Sequence, residues 1–148
     1  MKQKPREILE LERMLVLNIR ELSYDQFIDN LLSVVNYSAI NTFLLSERNE
    51  IIGLNLANNN ITNFNFLIKF HSLEYLNISG NGISEINFIE NLNELVILNL
   101  SMNRIRDCDV LKSKTPPPEL PDRSDRTDRS RQSDSPGSCQ FPSGKLHG

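Results

Sequence analysis

Two cysteines and two histidines are all the chain offers for thiol or soft-metal chemistry. Cys108 and Cys139 are far apart, and His71 and His147 have no ligand pair nearby, so neither a metal site nor a disulfide framework is expected. No apolar run approaches the roughly 20 residues of a membrane span. The start, Met1-Lys2-Gln3-Lys4-Pro5-Arg6-Glu7, is charged and lacks the apolar core of a secretion signal. A cytoplasmic, non-membrane protein is the expectation, with nuclear or cytoskeletal association compatible with it. No phosphate-binding loop exists, and no nucleophile–base–acid set can be assembled. The expectation is a protein that is not an enzyme and carries no cofactor. A basic excess is also missing: residues 1–111 carry 9 Lys+Arg against 14 Asp+Glu. Nucleic acid asks for a basic patch, so it is not an expected partner.

What the chain does have is a period of 22. Leu54, Leu76 and Leu98 stand 22 apart, as do Leu56, Ile78 and Leu100. Asn59, Asn81 and Asn103 keep the same register, followed by Ile61, Ile83 and Ile105. Four columns in one register imply stacked supersecondary units, each burying its apolar face against its neighbours. Within each unit a stretch alternates with period two, so the leucines point inward and the residues between them outward. Stacking then builds a parallel sheet from these short strands. The Asn column falls where the chain leaves the strand. An amide side chain carries donor and acceptor, so it can bridge backbone groups of its own coil and the next. After each turn an apolar residue recurs every third position: Phe64, Leu67, Phe70 and Leu73, then Ile86, Ile89, Leu92 and Leu95. That spacing suits short 3₁₀ turns with one buried side.

The units Ile51–Ile61, Leu73–Ile83 and Leu95–Ile105 fit L-x-x-L-x-L-x-x-N-x-I, with Ile allowed for Leu. The pattern closely resembles the leucine-rich repeat family. Its length and its every-third-residue pattern look like the 22-residue subclass typified by a protein phosphatase regulatory subunit. Asn65-Phe66-Leu67 and Asn87-Phe88-Ile89 are similar to repeats of bacterial leucine-rich proteins as well. The resemblance implies an α/β repeat solenoid with a concave parallel sheet. It implies a protein–protein interaction module that binds another protein on that concave face.

The outward strand positions are therefore the candidate partner-binding residues: Glu74, Tyr75, Asn55, Asn77, Asn99, Ile97, Ser79 and Ser101. Tyr75 is the anchor candidate, because exposed aromatics with a polar tip are enriched in binding hot spots. The alternative for Tyr75 is plain cross-strand packing, and for the Asn column a ladder that only steadies the sheet. Sequons occur at Asn36, Asn60, Asn77 and Asn99. Glycans on Asn77 and Asn99 would crowd the outward face, which favours by-products of the repeat in a cytosolic protein.

Three regions follow. Residues 1–50 are expected to form a helical N-terminal cap with a degenerate first repeat, since Leu32 and Val34 precede Leu54 and Leu56 by 22 while Tyr37 breaks the Asn column. Ser23 and Gln26 suggest a capping box opening a helix from Tyr24 to Val35 over the N-terminal end. An earlier helix is expected from Pro5 to about Leu15, with Met14–Ile19 as a strand the alternative. Residues 51–111 hold the repeats, two complete and a third cut short. Residues 112–148, with the threefold Asp-Arg-Ser/Thr run from Asp122, are expected to be disordered. The pattern stops in mid-unit with no polar cap, so self-association through the uncapped edge is expected. The same stop leaves a second reading open: a truncated or alternative form, or the recognition segment of a larger repeat protein or enzyme.

Overall fold

The computed structural model describes residues 3–32 and 40–114. The tail from residue 115, with Asp122 to Ser130, lies outside the described residues. So do residues 33–35 of the expected second helix, together with Val34 and Tyr37.

The chain forms α1 (Arg6–Leu15), β1 (Arg20–Glu21), α2 (Tyr24–Leu32), β2 (Thr42–Leu45), β3 (Ile51–Asn55), β4 (Tyr75–Asn77), β5 (Ile97–Asn99) and α3 (Asp109–Lys112). Short 3₁₀ helices, Asn65–Lys69 and Asn87–Asn91, follow β3 and β4. The strands make one sheet in chain order. The pairs β3–β4 and β4–β5 are parallel, with Leu54, Leu76 and Leu98 aligned as the 22-residue period requires. The inward residues Leu54, Leu56, Leu76 and Ile78 are fully buried against Phe64, Leu67, Leu73 and their counterparts one repeat on.

The Asn column does what its chemistry allows, with one correction: it reaches back to the preceding repeat. Asn81 Oδ1 accepts the N–H groups of Asn59 at 3.1 Å and Ile61 at 2.9 Å. Its Nδ2 donates to the carbonyls of Leu56 and Ile78, both at 3.0 Å. Asn103 repeats the arrangement, accepting from Ile83 N–H and donating to Ile78 and Leu100. Among the described residues no repeat stands before Asn59. Asn41 stands in, accepting from Asn59 Nδ2 at 2.7 Å.

The region before Ile51 differs from the expectation. Leu32 is exposed on α2 and stands in no strand, while Val34 and Tyr37 lie outside the described residues. The preceding strand is β2, which runs antiparallel to β3 through a tight turn at Ser46–Glu50. The sheet is therefore mixed. Thr42-Phe43-Leu44-Leu45 lacks the repeat's alternation because nearly all of it is buried: Phe43 meets the main core, and Leu44 the opposite face.

The first helix begins one residue later than read, with Pro5 at the N-cap position, and it includes Met14 and Leu15, so these form no strand. Ile8 and Leu11 join the main core. The Glu12 carboxylate ties down the exit: it accepts from Lys4 Nζ and from Ile19 N–H, both at 2.7 Å. Burial pushes its pKa up, but Lys4 and the Ile19 N–H outweigh that, leaving it below the ordinary carboxylate value.

The second helix departs most. It was expected over the N-terminal end of the stack. Its apolar stripe instead seats on the outward face of the sheet, where Phe27 and Leu31 pack with Leu44 and Tyr75. Half of the Ser23/Gln26 capping box is present, with Ser23 N–H donating to Gln26 Oε1 at 3.4 Å. Gly53 explains the seating. It occupies the outward column of Tyr75 and Ile97, and a Cβ there would lie 2.8 Å from the Phe27 ring.

The third repeat keeps the turn geometry. Leu111 N–H donates to Cys108 C=O as Leu67 does to Phe64 and Ile89 to Ile86. Lys114 takes an apolar column but turns back, its Nζ donating to Glu90 C=O at 3.0 Å and Asn93 Oδ1 at 2.8 Å. Those acceptors close the preceding 3₁₀ helix, where a cation is favourable.

Candidate binding groove

Because α2 covers the outward face beside β2 and β3, the uncovered part lies towards β5. A groove of ≈ 440 Å³ runs there, between the end of α2 and the strand exits. Its floor holds Asn55, Asn77 and Asn99 with Ser79, Ile97 and Ser101, six of the eight residues expected from the sequence. Asn30, Leu31 and Leu32 supply one wall, and Asn58 and Met102 lie at the strand exits.

The two remaining candidates are elsewhere. Tyr75 is not an exposed anchor: it is 9 % exposed beneath α2. The Tyr24 ring meets it edge-on at 6.1 Å, and the two hydroxyls share a hydrogen bond at 3.3 Å. Burial first, then Tyr24 and Glu74, push the Tyr75 phenol above the ordinary tyrosine value. Glu74 is half-buried beside it and does not line the groove. The alternation gives the outward orientation of these residues but not what covers that face.

The outward asparagines build local turns. Each Oδ1 accepts the N–H two residues on: Ala57 at 3.2 Å, Ser79 at 3.1 Å and Ser101 at 3.0 Å. The Ser79 and Ser101 hydroxyls donate to the same oxygens at 2.7 and 2.8 Å. The acceptors are thus occupied, while the Nδ2 groups of Asn77 and Asn99 have no partner among the described residues. The floor presents amide donors and hydroxyl lone pairs, and among the described residues the lining contains no Asp, Glu, Lys, Arg, His or Cys. Such a surface orients a neutral polar ligand and does not attract a charged one.

The alternation rule could not find Leu32 and Met102. They are 63 % and 76 % exposed at the edge of the groove. A signal for Met102 existed: its column holds Asn58 and Gly80, residues that tolerate a left-handed backbone. All three have positive φ, 56°, 63° and 55° in chain order. A methionine there is strained, where Asn58 and Gly80 are not. Met102→Gly is expected to stabilise the fold by about 0.5–1 kcal/mol and to weaken partner binding. Urea midpoints check the first part; an unchanged or lower midpoint contradicts it.

Residues 71–113 match a family model described as Leucine Rich repeats (2 copies). The match spans β4, β5 and α3, and it supports a leucine-rich repeat family for this segment. The parallel strands and the Asn bridges fit it. No curated protein matches the chain. Among the described residues no helix is long and apolar enough to cross a membrane, and no group of His, Cys, Asp or Glu could hold a metal ion.

Proposed function

We propose that the protein is a non-catalytic interaction module whose partner, another protein, enters the groove between α2 and the β4–β5 part of the outward face. Leucine-rich repeats generally mediate protein–protein interaction, and the repeat match carries that class. The observation that selects the face is the groove itself: exposed Leu32 and Met102 beside an uncharged Asn/Ser floor. Apolar anchors around convergent polar groups suit a polypeptide. The absence of Lys and Arg from the lining among the described residues disfavours a nucleic-acid backbone. We further propose that the units belong to the 22-residue subclass and that the sheet curves with this face concave. We also propose a cytoplasmic location, where the sequons at Asn77 and Asn99 in the groove floor carry no glycan and the groove stays open.

The test compares capture from crosslinked source cells. Wild type is expected to retain a partner that Ser79→Arg/Ser101→Arg loses, all proteins showing equal melting. Ile68→Arg, on an exposed 3₁₀ position, is expected to retain it. Equal recovery by the groove variant and wild type would overturn the reading.

A further inference from the structure

The third repeat leaves unspent the backbone groups that the first two spend on their successors. In a parallel ladder, alternate residues turn their N–H and C=O towards opposite neighbours. On the forward side, Leu56 N–H donates to Asn77 C=O at 2.8 Å, and Ile78 N–H to Asn99 C=O at 3.0 Å. Ile52 C=O accepts Glu74 N–H at 2.8 Å, and Glu74 C=O accepts Val96 N–H at 2.7 Å. Leu54 and Leu76 lie between these groups on the same side, aligned with Leu98. The third-repeat equivalents are Val96 C=O, Leu98 N–H, Leu98 C=O and Leu100 N–H. Among the described residues none of the four has a partner, because β5 is the last strand of the sheet.

These four groups complement themselves. Two β5 strands set antiparallel about a twofold axis at Leu98 bring each Leu98 N–H to the other's Leu98 C=O. The same placement brings each Leu100 N–H to the other's Val96 C=O. An ordinary antiparallel ladder would also call on Val96 N–H and Leu100 C=O. Both are already spent, on Glu74 C=O and on Asn103 Nδ2 at 2.9 Å. The pairing uses every free group and asks for none that is occupied.

We propose that the β5 edge is a self-association surface, pairing with β5 of a second copy so that the sheet continues across a twofold axis. The interface is isologous and closes on itself. The opposite edge does not invite head-to-tail growth, because β1 is two exposed charged residues, Arg20 and Glu21. On the outward face the pairing sets Ile97 against Asn99 of the second copy. Ile97 and Asn99 also belong to the groove floor, but the pairing itself rests on the β5 backbone groups and not on the groove reading.

Sedimentation of the full chain over a concentration series, with amide exchange resolved by NMR, tests it. A dimer is expected at high concentration. The Leu98 and Leu100 amides are then protected by about tenfold or more relative to a dilute sample, while Leu76 and Ile78, bonded within the sheet, do not change. Ile97→Lys places like charges near the axis and is expected to give a folded monomer with fast Leu98 and Leu100 exchange. Retained Leu76 and Ile78 protection shows that this variant is folded. A monomer at every concentration overturns the proposal. So does a dimer in which Leu98 and Leu100 exchange is independent of concentration. Ser79→Arg/Ser101→Arg separates the readings: it removes partner capture and leaves the dimer.

Discussion

Asn81→Ala is expected to lower the stability of the fold by about 2–6 kcal/mol, more than any other single change in the Asn column. The side chain is buried and serves two repeats at once. Its loss strands the N–H groups of Asn59 and Ile61, and it removes a donor from the carbonyls of Leu56 and Ile78. Each buried polar group left unpaired costs about 1–3 kcal/mol. With water reaching half of them, the loss is about 2–6 kcal/mol, against a total of about 5–15 kcal/mol for a domain. Asn103→Ala is the graded control. Asn103 is half-exposed and a single N–H, that of Ile83, donates to its Oδ1. A loss of about 2 kcal/mol is expected there. Urea denaturation of both variants checks the order. Asn81→Ala melting within about 1 kcal/mol of wild type would mean that the column does not join the repeats.

Gly53→Val is expected to lift α2 from the sheet. A Cβ at this position falls 2.8 Å from Leu44 Cβ and 2.8 and 2.9 Å from Cε1 and Cζ of Phe27. Leu44 is held by the β2–β3 hairpin, so the helix is the part that gives. Overpacking costs about 1–3 kcal/mol, and uncovering Phe27 and Leu31 adds about 1.5–3 kcal/mol for each side chain fully exposed. The expected total is therefore about 3 kcal/mol or more, with cleavage in α2 by a protease at low dose. A second readout follows from Tyr75. In wild type its phenol ionises above the ordinary value of about 10, because burial and Tyr24 oppose the phenolate. With α2 released, the ultraviolet titration of that phenol moves back towards the ordinary value. Unchanged proteolysis and an unchanged phenol titration would contradict the seating of α2 on Gly53.

The repeats were legible because one residue type answered one demand at one spacing. Leu54, Leu76 and Leu98 fill a core column that only apolar side chains satisfy, and Asn81 fills a position that needs donor and acceptor together. The outward direction of Asn77 and Ser101 followed from the period of two. The occupant of the outward face did not follow, because the alternation says where a side chain points and not what meets it. Two clues were present: Gly53 in a column with Tyr75 and Ile97, and the Phe27/Leu31 stripe on a short helix. Each is ambiguous alone, and it is their contact, distant in sequence, that gives them meaning. Strand β2 was missed for a related reason. Phe43 and Leu44 are buried on opposite faces, so the alternation that marks a half-buried strand is absent.

The account rests on the uncovered part of the outward face being the working surface. The direct test is site-specific photo-crosslinking in the cell that makes the protein, with the photoreactive residue at Ser101 in one sample and at Ile68 in another. Both positions are exposed, one at the groove and one on the opposite, 3₁₀ side. The account predicts one defined protein adduct from Ser101 and none from Ile68. An adduct from Ile68 with none from Ser101 would contradict it.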